Sequence, residues 1–240
     1  LPLVKVNPRR ARRFAEAIGT LAKTDRVDAA MLAHMGQALS PKLTCLPSRT
    51  LDQLRELHVA RQALIKDRTA CRNRLQAARN KVVLAQLRAR LRQVERQIEQ
   101  IDAELARLVA ELLAHRFVIL MSIPGIGPVA AIAMLVEMPE LGSMDGKEAA
   151  SLAGLAPITR ESGRWKGQSR IGGGRRGLRR ALYMPALVAT RHNRQLGQTY
   201  QALCSAGKPA KVALTAVMRK LLILANALIR DDRKWAETAP

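Results

Sequence analysis

The chain has 240 residues, 48% of them apolar, which is enough to bury one or two cores. Its net charge of +22 repels itself in a compact fold unless a polyanion neutralises it, and nucleic acid fits better than an acidic membrane because the charge is spread along the chain. Aromatics at 2% argue against a platform of stacked rings as the main binding mode, and Cys45, Cys71 and Cys204, far apart and without Cys-x-x-Cys spacing, fit a reducing cytoplasm and argue against a zinc or disulfide framework.

The chain opens at Leu1 without a methionine, which points to a fragment whose upstream part is missing. Residues 1–7 carry Leu3, Val4 and Val6 before the Asn7-Pro8 break and predict the end of a strand. Residues 9–36 predict helix, interrupted near Lys23-Thr24-Asp25, with Asp25 capping the second part and Asp28 near the positive end of its dipole. Ser40-Pro41, Pro47 and Ser48 mark a linker, and residues 51–78 predict a long helix with Leu54, Leu57, Leu64, Ile65, Cys71 and Leu75 among its apolar positions.

The next helix has the clearest period in the chain. Leu84, Leu87, Leu91, Val94, Ile98, Ile101, Leu105, Leu108 and Leu112 alternate three and four residues apart, the a/d seam of a coiled coil. A break near Asn80-Lys81 lets the two helices fold back as an antiparallel hairpin; the same seam also suits pairing with a second subunit. It reads either as a stabilising spacer or as an arm for homo-oligomers.

Residues 117–136 contain no charged side chain over twenty positions. Two prolines and two glycines in their middle argue against a membrane span and for two short buried elements joined by a tight turn. Gly125-Ile126-Gly127-Pro128-Val129-Ala130 after the strand-like run 117–121 fits a dinucleotide fingerprint, but that fold needs alternating strands and helices. A helix-hairpin-helix, with Gly125 and Gly127 in its turn and the amides of the second helix facing a DNA phosphate, fits better; a glycine turn that merely joins two helices is the plain alternative. Residues 178–190, 195–205 and 208–229 predict three more helices, the last with a core stripe through Val212, Ala216, Val217, Leu221, Leu224 and Leu228.

Between residues 160 and 180 stand Arg160, Arg164, Lys166, Arg170, Arg175, Arg176, Arg179 and Arg180 against the single acid Glu161. Guanidinium groups grip phosphate through paired hydrogen bonds, so this is a candidate nucleic-acid surface. Ser162 at its edge is either a nucleophile beside a bound phosphodiester or an ordinary Ser-Gly turn residue. Gly172-Gly173-Gly174 allows close approach to a backbone or forms a flexible joint. Trp165 stacks on a base or anchors the loop, and His34, His58, His115 and His192 have no metal spacing.

Lys23-Thr24-Asp25-x-x-Asp28-Ala29, Ser122-Ile123-Pro124-Gly125-Ile126-Gly127, Gly154-Leu155-x-Pro157, Glu161-Ser162-Gly163 and the run 178–186 occur in this order and cover nearly the whole chain. Together they resemble the transposases of bacterial insertion sequences that join a resolvase-like DEDD domain to a C-terminal serine-bearing domain, the bridge-RNA-guided recombinases. The resemblance implies a mainly α chain in three parts: the remnant of an α/β, RNase H-like domain at 1–48, a coiled-coil hairpin at 49–115, and a helical transposase domain with a helix-hairpin-helix-like turn at 116–240. It implies Ser162 as the residue that joins covalently to cleaved DNA, a guide RNA as partner, and a nucleoid-associated bacterial cytoplasm. Arg160, Arg164, Lys166 and Arg170 would stabilise charge on the phosphorus. Asp25 and Asp28 match the last two acids of a magnesium-holding tetrad whose other members lie on strands upstream, so the polypeptide by itself is expected to be catalytically deficient. An inert remnant that only binds DNA or RNA is the alternative.

Overall fold

The computed structural model describes residues 3–20, 22–41, 49–159, 161–163, 165–167 and 169–236, the side chains of Trp165 and Lys166 excepted. The chain divides into two compact units, residues 1–50 and 51–240.

The first unit is a helix pair. Asn7 accepts from the amide of Arg9 and Pro8 occupies the first turn, which starts α1 (Pro8–Ala17). α2 (Asp25–Leu39) begins one residue earlier than the sequence suggested, because the Thr24 hydroxyl, not the Asp25 carboxylate, caps it by accepting from the amide of Val27 at 3.3 Å. Ala11, Ala15, Met31 and Met35 close the small core, with Val6 and Phe14 against it. Residues 3–7 are not a strand: no described segment offers them a ladder, and a strand without a partner leaves its backbone to solvent. Pro47 and Ser48 of the expected linker, like Cys45, lie outside the described residues.

In the second unit, α3 (Arg49–Ala77) and α4 (Lys81–Leu112) form the hairpin. Asn80 makes the reversal by capping α4, its side chain accepting from the amides of Val82 and Val83. Three cross-links fix the antiparallel register: Arg61 forks onto Asp102, Arg72 reaches Glu95 at 2.7 Å, and the Cys71 thiol donates to the Leu87 carbonyl at 3.3 Å. Along the seam Val94, Ile98, Leu105 and Leu108 are buried, whereas Leu84, Leu87 and Leu91 near the reversal are half-buried. Each buried branched side chain contributes about 1.5–3 kcal/mol. Leu54, Leu105, Leu108 and Val109 run into the core of the C-terminal helices, so the root of the hairpin is continuous with that core.

The residues 117–121 are helical, not strand-like: α5 (Ala114–Met121) and α6 (Pro128–Glu137) flank the glycine turn, which removes the dinucleotide reading. α7 (Gly146–Leu152) was not expected from its composition, yet Asp145 and Glu148 form a reciprocal capping box that starts it. The expected single helix 178–190 is two, α8 (Arg176–Ala181) and α9 (Tyr183–His192), because Pro185 has no amide to bond back to Ala181. α10 (Arg194–Ser205) and α11 (Ala210–Arg230) complete the bundle. α11 is long and apolar enough to cross a membrane, but Val217, Leu221, Ala225 and Leu228 are sealed among α5, α7, α9 and α10, as a core helix requires.

Candidate nucleic-acid interface and serine ribbon

The basic segment is a ribbon, not a loop. β1 (Pro157–Ile158) pairs antiparallel with β4 (Arg170–Ile171), and β2 (Glu161–Ser162) pairs antiparallel with β3 (Trp165–Lys166). Ser162 stands opposite Trp165, and Glu161 opposite Lys166, with Gly163 at φ +56 turning the chain between them. Ser162 therefore sits at the far end of the ribbon, exposed. No histidine or carboxylate among the described residues hydrogen-bonds its hydroxyl. Arg160 and Arg164 lie outside the described residues.

The feet of the ribbon meet at a tight neck. Gly154 has φ +69, and a Cβ there would come within 2.4 Å of the Gly173 carbonyl; a Cβ on Gly174, at φ +58, would come within 2.2 Å of the Gly154 nitrogen. The glycines thus serve a close approach of two protein segments. The Arg179 Nη1 donates to both the Gly154 carbonyl at 3.2 Å and the Gly173 carbonyl at 3.0 Å. The Arg175 amide donates to the Leu152 carbonyl at 2.8 Å, and its guanidinium forks onto both oxygens of Glu140 at 2.7 Å while also meeting the Glu137 carbonyl. That fork holds the Glu140 carboxyl below the usual carboxylate range, against a smaller opposing effect of burial.

The arginine field therefore divides. Arg170 on β4 and Arg176 at the start of α8 are exposed, whereas Arg175 and Arg179 are engaged inside the protein. Arg180 reaches Gln62 of the hairpin at 3.3 Å. Beside that contact His58 is buried, 2.7 Å from Gln62 and 3.9 Å from a Glu137 oxygen. Burial lowers the imidazole pKa; Glu137 opposes this and Arg61 adds to it, so desolvation outweighs the carboxylate and the contact is not an ion pair of full charges. Gly177 fits against the same Glu137, for a Cβ there would lie 2.1 Å from its Oε1. Gln62, Glu137 and Glu140 carry no motif that marks them in the sequence.

The two glycines of the turn have separate surroundings. Gly125, at φ +101, is pressed on α9, with the position of a Cβ 2.6 Å from the Pro185 carbonyl oxygen and 2.9 Å from the Ala189 nitrogen. Gly127 caps α6 with nothing within 4 Å of that position, and Val129 in the first turn is 56% exposed. Ser122 secures the turn, donating to the Ile119 carbonyl at 2.7 Å and accepting from the Trp235 amide at 2.8 Å.

Residues 118–201 match the family described as transposase IS116/IS110/IS902, and residues 1–83 match the DEDD transposase domain of the IS110 group. Over 240 aligned residues, 96% of this chain, the sequence is 34% identical to the pilin gene-inverting protein of Moraxella bovis, 73% of which is covered, and the same values hold for its counterpart in Moraxella lacunata. The chain belongs to the IS110/IS116/IS902 family of transposases. A third relative, an uncharacterised 42 kDa protein of insertion element IS900 from Mycobacterium paratuberculosis, is 34% identical over 118 residues, 47% of this chain and 29% of that protein. DNA binding and DNA recombination follow from the family, and a DEDD domain implies metal-dependent catalysis.

In the transposase, Asp25 and Asp28 fall within the DEDD-matched segment. They stand one turn apart on α2, Asp25 exposed and Asp28 half-buried on the rim of a 1410 Å³ cleft of the first unit that Lys23, Arg10 and Met35 also line. Their oxygens suit a hard cation, but a magnesium ion takes six ligands. Among the described residues no group of three or more His, Cys, Asp or Glu side chains comes together to hold a metal. Two carboxylates are an incomplete donor set.

Proposed function

We propose that the transposase cuts and rejoins DNA through a covalent bond between DNA and Ser162, directed to its sites by a structured guide RNA. The observation that carries this reading is the placement of Ser162, itself exposed, at the tip of a ribbon in a basic stretch of the chain. In the first step the Ser162 Oγ forms a bond to phosphorus as the bond from phosphorus to the adjoining nucleotide oxygen breaks. The hydroxyl proton passes to a base and a proton is returned to the leaving oxygen. The phosphoserine ester conserves the energy of the phosphodiester, so a second DNA hydroxyl can displace the serine without ATP.

Arg170 and Arg176, with Arg160, Arg164 and Lys166, supply charge to the phosphate path, and Arg180 extends it towards the hairpin root. Asp25 and Asp28 would contribute two oxygen ligands to a magnesium ion, which would supply Lewis-acid chemistry. The half-buried seam of Leu84, Leu87 and Leu91 suits pairing with a second subunit near the reversal. That incomplete pair of acids also favours a second reading, an inert DNA- or RNA-binding remnant. Incubating the intact transposase with its DNA and guide RNA and resolving denatured products tests both. A protein-DNA adduct that is lost in Ser162→Ala supports the recombinase, and strand exchange that persists in that variant refutes it.

A further inference from the structure

The described residues of the ribbon have little of their own to aim it. Its strands are two residues long, and Pro157, Ile158, Glu161, Ser162, Arg170 and Ile171 are all exposed. A Cβ placed on Gly172 would meet only the Ile158 Cδ1, at 3.7 Å. Among the described residues, the contacts that can aim the ribbon lie at its feet, where Gly154 enters and Gly173 leaves. One guanidinium nitrogen spans both carbonyls there. It belongs to α8, whose first turn is anchored by the Arg175 fork on Glu140 and by the Arg175 amide on Leu152. Backbone bonds from Leu155 and Ala156 to the Ala150 carbonyl and from Arg175 to Leu152 seat each foot separately, and the Arg179 side chain reaches both feet at once.

We infer that Arg179 is a positioning residue for Ser162: it ties the two feet of the ribbon together and fixes the direction of the nucleophile, and it is not one of the phosphate ligands of the basic field. This rests on Ser162 being the nucleophile. Geometry at the reacting centre is sensitive to such ties, since a displacement of about 1 Å costs on the order of 100-fold in rate. A phosphate ligand behaves otherwise. Its loss weakens binding to every DNA sequence alike and lowers the salt slope of binding by about 1.

The test uses the intact transposase with saturating DNA and follows adduct formation in Arg179→Ala, Arg179→Lys, Arg176→Ala and Ser162→Ala. In Arg179→Ala the rate at saturation falls by about 100-fold with unchanged half-saturation and salt slope. Amide exchange quickens over residues 157–171 and not in α11, and added guanidinium ion restores part of the rate by refilling the space between the two carbonyls. Arg179→Lys, which keeps a single cationic nitrogen, lies between the wild type and Arg179→Ala and serves if the alanine variant does not fold. Arg176→Ala shows the opposite pattern, with weaker binding, a shallower salt slope and a ribbon exchanging as before. If Arg179→Ala follows the Arg176→Ala pattern, or leaves ribbon exchange unchanged, the positioning role is refuted. If Ser162→Ala still forms adduct, the nucleophile is another residue, and the exchange of the ribbon alone still decides whether Arg179 holds the neck.

Discussion

Gly125 and Gly127 stand two residues apart in the same turn, and an alanine at each gives opposite outcomes. At Gly125 the backbone has φ +101, outside the range that L side chains adopt, and holding alanine there costs about 1–3 kcal/mol. The new Cβ would also lie 2.6 Å from the Pro185 carbonyl oxygen, 2.9 Å from the Ala189 nitrogen and 3.0 Å from the Ala189 Cβ. None of these can rotate away, so α9 must move, and such overpacking adds about 1–3 kcal/mol. Gly125→Ala is therefore expected to destabilise the protein by about 2–6 kcal/mol, a large share of the 5–15 kcal/mol that holds a typical domain together. Gly127→Ala meets no atom within 4 Å at an ordinary φ of −93° and is expected to change stability by no more than about 1 kcal/mol. Urea unfolding followed by far-UV circular dichroism measures both, and DNA affinity measured on the folded fraction separates stability from binding. The account of the turn is refuted if Gly125→Ala costs less than the Gly127 variant, or if it weakens DNA binding while leaving stability intact.

Asn226 is 1% exposed on α11, where it accepts from the Gly142 amide at 2.7 Å and donates to the Met144 carbonyl at 2.8 Å. Asn226→Leu strands both groups, so chemical denaturation should show a loss of about 2–4 kcal/mol. His58 has a pKa lowered by burial from the ordinary 6.5, so the unfolded chain binds its proton more tightly. Its contribution is complete above pH 6.5 and is lost as pH falls from there towards the folded value; His58→Gln should flatten the unfolding midpoint over that window. Glu140 acts lower on the scale: the Arg175 fork depresses its pKa below 4.5, so its contribution is present above 4.5 and is lost as pH falls through the folded value. Glu140→Gln should remove that acid limb from the same midpoint curve while leaving the His58 window in place.

Long regular elements were legible in the sequence because they repeat. The three-four spacing from Leu84 onwards located α4, and Asn80 marked its start, since both signals are local to one helix. Adjacent capping residues are harder to order: Thr24 and Asp25 are both good caps, and only the hydrogen bond to Val27 decides between them. The ribbon was not legible. Two-residue strands are too short to show alternation, and the pair Pro157 with Ile171 joins positions that no local window contains. The split of α8 from α9 is signalled in the sequence by Pro185 alone, inside an otherwise continuous apolar run. The turn at Gly125 was found by its glycines, but the close contact with α9 that makes one of them indispensable depends on a helix sixty residues further on.

The arginine field shows why composition places a function in a region before it places it on residues. A guanidinium fork fits a phosphate, a carboxylate and a pair of backbone carbonyls equally well, so eight basic side chains in sequence do not reveal how many are free for DNA. The structure assigns Arg175 to Glu140 and Arg179 to the neck, and leaves Arg170 and Arg176 exposed. The internal contacts are made by arginines that follow the ribbon on or beside α8, where the feet must be joined. A recombinase that joins DNA to Ser162, as proposed, has to offer that hydroxyl to a long anionic partner in a fixed direction, which calls for charge on the outside and rigidity at the base. Arginine suits both needs because its five donors serve an internal carbonyl or carboxylate as well as a phosphate, and the inward set stands where Gly154 and Gly174 bring the feet together.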